Sequence, residues 1–124
     1  MLANSPVAAT IAASDIDAAR TFYTETLGLT VAMEPAPGVV FFNAGDGSML
    51  QVYQRPDHAP SSATVATFKV DDIKATVAGL EAKGASFQDY DMPDFKTGPD
   101  HIVEGANVAW LTDPEGNIIA LAQM

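Results

Sequence analysis

Cysteine is absent from this 124-residue chain. Its absence excludes a disulfide framework, thiolate chemistry and any zinc–thiolate site. It also suits a reducing compartment, so a cytoplasmic location is expected. Cationic residues are scarce: six Lys and Arg stand against sixteen Asp and Glu, for a net charge of −10. That balance would repel phosphate backbones, which argues against nucleic acid as a partner and permits a cationic ligand. No apolar run approaches the roughly 18 residues of a membrane span, so no membrane partner is expected. The opening segment, Met1 to Pro6, has neither a basic region nor an apolar core, and no signal peptide is expected.

Hydrophobic residues make up 48% of the chain and charged residues 18%, a balance that reads as globular. A chain of this length buries about two-thirds of its unfolded surface, enough for a core without covalent staples. The most informative feature is an internal repeat. Asp15 and Asp72, each ahead of a helical stretch, are 57 residues apart; Gly28 and Gly84, which close those stretches, are 56 apart. Gly47 and Gly116, in two hairpin turns, are 69 apart. Each half therefore reads as strand–helix–strand–strand–strand, an α+β arrangement of two tandem βαβββ modules. We expect a single domain, 1–124, with module one over 5–55, a Pro- and Ser-bearing linker over 56–63 and module two over 64–124.

Within module one, strands are expected at Val7–Ala13, Leu29–Met33, Val39–Asn43 and Ser48–Gln54, with a helix from Ile16 to Leu27 and a break at Glu34–Gly38. In module two, strands are expected at Thr64–Val70, Ala85–Tyr90, Val108–Thr112 and Asn117–Ala122, and Ala66, Phe68 and Val70 should face a helix. The later hairpin offset places about 13 extra residues between Tyr90 and Val108. This insertion carries Asp91, Asp94, Asp100 and Glu104 against one lysine, Lys96. Loops of that length in compact domains often serve as lids or binding loops.

The repeat, with Phe22-Tyr23…Leu27-Gly28-Leu29 in the first half and Asp113-Pro114-Glu115-Gly116-Asn117 in the second, resembles the vicinal oxygen chelate superfamily over essentially the whole chain. That family includes glyoxalase I, extradiol dioxygenases and bleomycin-resistance proteins. The resemblance implies a curved mixed sheet, a half-barrel around a cavity. It implies metal ligands seven residues before each capping aspartate and four after each hairpin glycine. Those positions hold Ala8, Val65, Gln51 and Ala120. Only Gln51 offers a donor, and one neutral amide does not hold a divalent cation. No family-type metal and no cofactor are therefore expected. The resemblance then implies the members that bind without chemistry, as bleomycin-resistance proteins do, with a small, cationic or aromatic ligand. Relatives are often dimers, and a homodimer is expected.

Alternation puts Met49, Gln51 and Tyr53 on one strand face, with Gln51 a polar anchor. Trp110 precedes Ala120 by ten residues, as Phe41 precedes Gln51. Pairing straight across Asp113–Gly116 would turn Trp110 toward the helix; one bulge residue would turn it to the cavity, the side that similarity to the family favours. There it would stack flat or cationic ligands. Tyr90, Asp91 and Asp94 would form an acidic, aromatic rim. His101 and Glu104, three apart, suit a ligand pair or a base with its orienting partner. Two alternatives to a binding protein follow: a metal-dependent lyase or isomerase using Gln51, His101 and Glu104, or a metal-free enzyme using Asp91, His101 or Glu104.

Overall fold

In the computed structural model, which describes residues 1–124, one local device starts the helix of each half. Asp15 precedes α1 (Ile16–Thr21) and its Oδ1 accepts the Ala18 N–H at 3.0 Å. Asp72 precedes α2 (Ile73–Ala82) and accepts the Ala75 N–H at 3.1 Å. A carboxylate there satisfies an amide with no helical partner and lies at the positive end of the helix dipole. The chain divides into two compact units, Met1–Ala59 and Pro60–Met124.

The first unit holds β1 (Ala9–Ala13), β2 (Thr30–Ala36), β3 (Val39–Asn43) and β4 (Met49–Gln54) in the order β1-β4-β3-β2. β1 runs parallel to β4, and the other pairs are antiparallel. One face is buried: Ile11, Ala13, Val40, Phe42, Leu50 and Val52 pack with Ala19 and Tyr23. The expected single α-helix differs in its second half, which widens into a π-helical turn over Phe22–Thr26, with the Leu27 N–H bonded to the Phe22 carbonyl at 3.0 Å. That turn carries Tyr23, which is fully buried with its ring 5.6 Å from Phe42. The expected break at Glu34 also differs. β2 continues through Pro35 to Ala36 with two register shifts, because an edge strand does not need the amide that proline lacks.

The second unit holds β5 (Thr64–Val70), β6 (Ser86–Gln88), β7 (Val108–Thr112) and β8 (Ile118–Gln123) in the order β5-β8-β7-β6, the first unit's plan repeated. β8 shows which face α2 covers: Gln123 accepts the Ile73 N–H through its side chain at 2.9 Å. Ile119 and Leu121 share that face by alternation and are buried, as are Ala109 and Leu111 of β7 and Ile73 and Val77 of α2. On β5, Ala66, Phe68 and Val70 are the more buried set, as expected. β6 is shorter than expected and ends at Gln88. The insertion that follows is folded back on itself by bridges between Asp91 and Lys96, Thr97 and Val103, and Val103 and Val108.

The β7–β8 connection sets the register of the second sheet. Thr112 pairs with Ile118 and the Asp113 N–H bonds the Asn117 carbonyl at 3.0 Å, so Gly116 is the extra residue of the turn and Trp110 lies opposite Ala120. Asp113, 6% exposed, holds the turn. Its Oδ1 accepts the N–H groups of Glu115 and Asn117, each at 2.9 Å, and its Oδ2 accepts the Asn117 side-chain amide at 2.9 Å. Gly116 completes the turn at φ +90°, where an added Cβ would lie 3.2 Å from Pro60 Cγ. Replacing Asp113 with Ala strands these donors, including the 1%-exposed Asn117. The expected cost is about 2–4 kcal/mol, read as a lower urea midpoint at unchanged slope.

Candidate functional site

Each sheet has a second face, turned away from its helix. On the first, register places Thr10 and Phe41 on either side of Gln51, and Met33 beside Phe41. Met49 and Tyr53 share this face by alternation. Gln51, Phe41 and Tyr53 are half-buried and Thr10 is exposed. No buried side-chain nitrogen or oxygen in the protein lacks a partner, so the Gln51 amide opens to the surface. Tyr53 engages the exposed Arg55, whose guanidinium pKa is raised first by that hydrogen bond and then by the Asp57 carboxylate. Ala8 precedes β1 and is half-buried. The residue opposite Gln51 is Thr10, two positions further on. Sequence reasoning missed Thr10, although the 57-residue offset pairs it with a second threonine, Thr67.

The second sheet repeats this row. Thr67 and Trp110 flank Ala120, and Gln88 pairs with Trp110. Val65, 37% exposed, falls at a register shift between Thr64 and Ala66 and has no partner on β8. Trp110 therefore lies on the face opposite α2, because Gly116 adds one residue to the turn. Its ring lies 4.9 Å from that of Tyr90, edge to face, and 5.6 Å from that of Phe95. Tyr90 and Phe95 are 5.7 Å apart, closing a three-ring cluster. Phe95, Thr67 and Gln88 were not legible as site residues: Phe95 reaches Trp110 only because the insertion folds back.

Beside this cluster the insertion encloses an open cleft of about 660 Å³, lined by Asp89, Tyr90, Asp91, Lys96, Thr97 and Glu104 among others. Three carboxylates thus face one amine. A neighbouring cleft of about 600 Å³ shares Gly98, Pro99 and Glu104 and adds Lys74 and Asp100.

His101 is not grouped with the residues expected to accompany it. Its ring stacks on Phe87 at 5.2 Å, and Phe87 pairs with Leu111, on the α2 side of the sheet. Strand alternation in β6 thus separates it from Trp110, which is cross-strand from the next residue, Gln88. Its Nδ1 lies 2.8 Å from Asp89 Oδ1 and its Nε2 lies 3.4 Å from Glu81 Oε1, so its partners are these two rather than Glu104.

Neither cross-strand row contains a carboxylate, imidazole or thiolate, and no three His, Asp or Glu side chains in the structure form a group that could hold a metal ion. The donor set of these rows, two threonine hydroxyls and the amides of Gln51 and Gln88, does not fit the metal that the fold family implies.

The hydrogen bond from His101 holds the Asp89 carboxyl below its ordinary value, with smaller help from Thr97. A lowered carboxyl pKa contributes stability above the unfolded value, lost as pH falls through the folded one. Carbon-detected NMR should find Asp89 titrating below 3.8 in the native protein and returning toward 3.8 in His101→Gln.

Known proteins share this architecture. A protein described as an antibiotic binding protein, TnmS3 from Streptomyces sp. CB03234, superposes with a TM-score of 0.72 at 23% identity, over 99% of this chain and 98% of that one. The bleomycin resistance determinant encoded on the transposon Tn5 gives a TM-score of 0.71 at 21% identity, over 97% and 98%. Lactoylglutathione lyase from Agrobacterium tumefaciens gives 0.69 at 20% identity, over 97% and 93%. No curated protein matches the chain in sequence. Residues 6–121 match the family model, and the chain belongs to the Glyoxalase/Bleomycin resistance protein/Dioxygenase superfamily.

Proposed function

We propose that this protein binds a small, flat, cationic ligand and holds it without chemical change. The observation that carries the reading is the Trp110–Tyr90–Phe95 cluster, whose Tyr90 also lines the acidic cleft. An aromatic platform attracts a cation through the ring quadrupole, and neighbouring carboxylates add Coulombic attraction. The Thr67 hydroxyl and Gln88 amide, in the same row as Trp110, would hydrogen-bond the ligand's polar edge.

Absence of an acid–base group from both rows supports holding over lyase or isomerase chemistry, since Thr, Gln, Ala, Phe, Met and Trp do not exchange protons near neutral pH. Two of the similar structures are described as an antibiotic binding protein and a bleomycin resistance determinant, which supports the same direction. The reading includes a cytoplasmic homodimer in which both modules serve one domain. The lack of cysteine suits that compartment, and the outer strands β1 and β5 offer sheet edges that association would cover.

Trp110 is the chain's single tryptophan, so its fluorescence reports directly on the platform. Titration with a panel of planar aromatic cations should change that fluorescence, and calorimetry should give a Kd that weakens with salt. Trp110→Ala should lose about 1–2 kcal/mol of binding, roughly a five- to thirtyfold weaker Kd by calorimetry. No binding at millimolar concentration across the panel would refute the proposal.

A further inference from the structure

The insertion that walls the cleft is tied down at one place by a group that can change charge near neutral pH. His101 sits within it at φ +69°, a left-handed conformation uncommon outside glycine but more accessible to histidine than to most residues. Its ring lies flat on Phe87, 12° from parallel. The charged groups facing it are Asp89, just beyond the end of β6 and on the cleft wall, and Glu81 of α2. β6 itself presents only the Phe87 ring. On the insertion, Asp100 is turned to the Ile102 N–H at 3.2 Å.

We infer that His101 is a protonation-dependent latch on the cleft-bearing insertion. The physical reason is the count of ring protons. A neutral imidazole carries one N–H and a lone pair on its other nitrogen; an imidazolium donates from both. Nδ1 at 2.8 Å and Nε2 at 3.4 Å each face a carboxylate. Protonated, the ring ties the insertion to Asp89 and to Glu81 together. Neutral, it donates to one carboxylate and turns a lone pair toward the other, with the two carboxylates left as like charges around it. The latch contributes fully while the imidazole is charged and is weaker when it is neutral. The lowered carboxyl pKa of Asp89 fits a positive, donating partner.

This inference deepens the proposed binding reading, because Asp89 and the insertion bound the cleft that would receive the ligand's cation. Its test needs no ligand. Three backbone hydrogen bonds report on closure: Thr97 N–H to the Tyr90 carbonyl, Gly98 N–H to Ile102 and Val103 N–H to Val108, all at 2.9 Å. Hydrogen-exchange protection factors of the ligand-free protein at about pH 5.5 and about pH 8 measure their local opening. Protection of these amides should fall roughly three- to tenfold between the two conditions, a range kept small because the pair is partly solvated. Amides of the buried β8 should keep theirs. His101→Gln, which cannot become charged, should be equally weakly protected at both. Glu81→Gln, on the exposed surface of α2, should fold normally and show a response of about twofold or less. Equal protection at both conditions in the native protein, or an undiminished fall in either variant, would overturn the latch. Such a failure would leave the binding reading intact, and failure of the ligand titration would leave the latch intact.

Discussion

The arrangement of the second sheet depends on the carboxylate of Asp113. By accepting from Glu115, from the Asn117 backbone and from the Asn117 side chain, it holds a turn one residue longer than a straight crossing would need. Strand side chains alternate, so a shift of one residue exchanges every side chain of β7 between the two faces relative to β8. With the longer turn in place, Leu111 and Ala109 lie toward α2 and Trp110 lies on the open face. Without it, an indole would occupy the space that Leu111 fills, and the aromatic cluster would not assemble. The Asp113-Pro114-Glu115-Gly116-Asn117 motif is thus a register device rather than a reactive group. Gly116 takes the left-handed conformation that closes it.

The first unit reaches the same geometry by a different turn. Asn43 pairs with Met49 around Gly45-Asp46-Gly47, with Asp46 and Gly47 both at positive φ. The rows Thr10–Gln51–Phe41–Met33 and Thr67–Ala120–Trp110–Gln88 are therefore counterparts. Their chemistry has diverged while their positions have not. The first offers an amide where the second offers a methyl, and the second offers an indole where the first offers a phenyl ring. A ligand meeting the first row would find a hydrogen-bonding centre. One meeting the second would find a stacking surface.

The insertion breaks this parallel and holds much of the remaining chemistry. It supplies Tyr90 and Phe95 to the Trp110 cluster, carboxylates to the cleft, and His101 to its latch. It is ordered by its own contacts. Thr97 takes a backbone hydrogen bond from Tyr90 N–H, and Ile102 and Val103 are buried. An acidic loop could have been a solvated tail; buried apolar residues at its base make it a wall.

The sequence by itself determined the modules, because their signals are local or periodic. Asp15 and Asp72 mark helix starts, Gly28 and Gly84 mark helix ends, and alternation on β5 assigns its faces. It also matched Gln51 with Ala120 by offset, and the two strands place these residues at equivalent points of their rows. The side that Trp110 takes was left open between two registers, because the choice rests on one residue of a turn and on whether Asp113 pairs with Gly116 or with Asn117. Thr10 in place of Ala8, Phe95 against Trp110, and Asp89 with Glu81 around His101 all depend on contacts between residues far apart along the chain. Only the tertiary structure decided these. Sequence periodicity states which side chains share a face, but not which residue of a neighbouring strand or folded-back loop stands across from them.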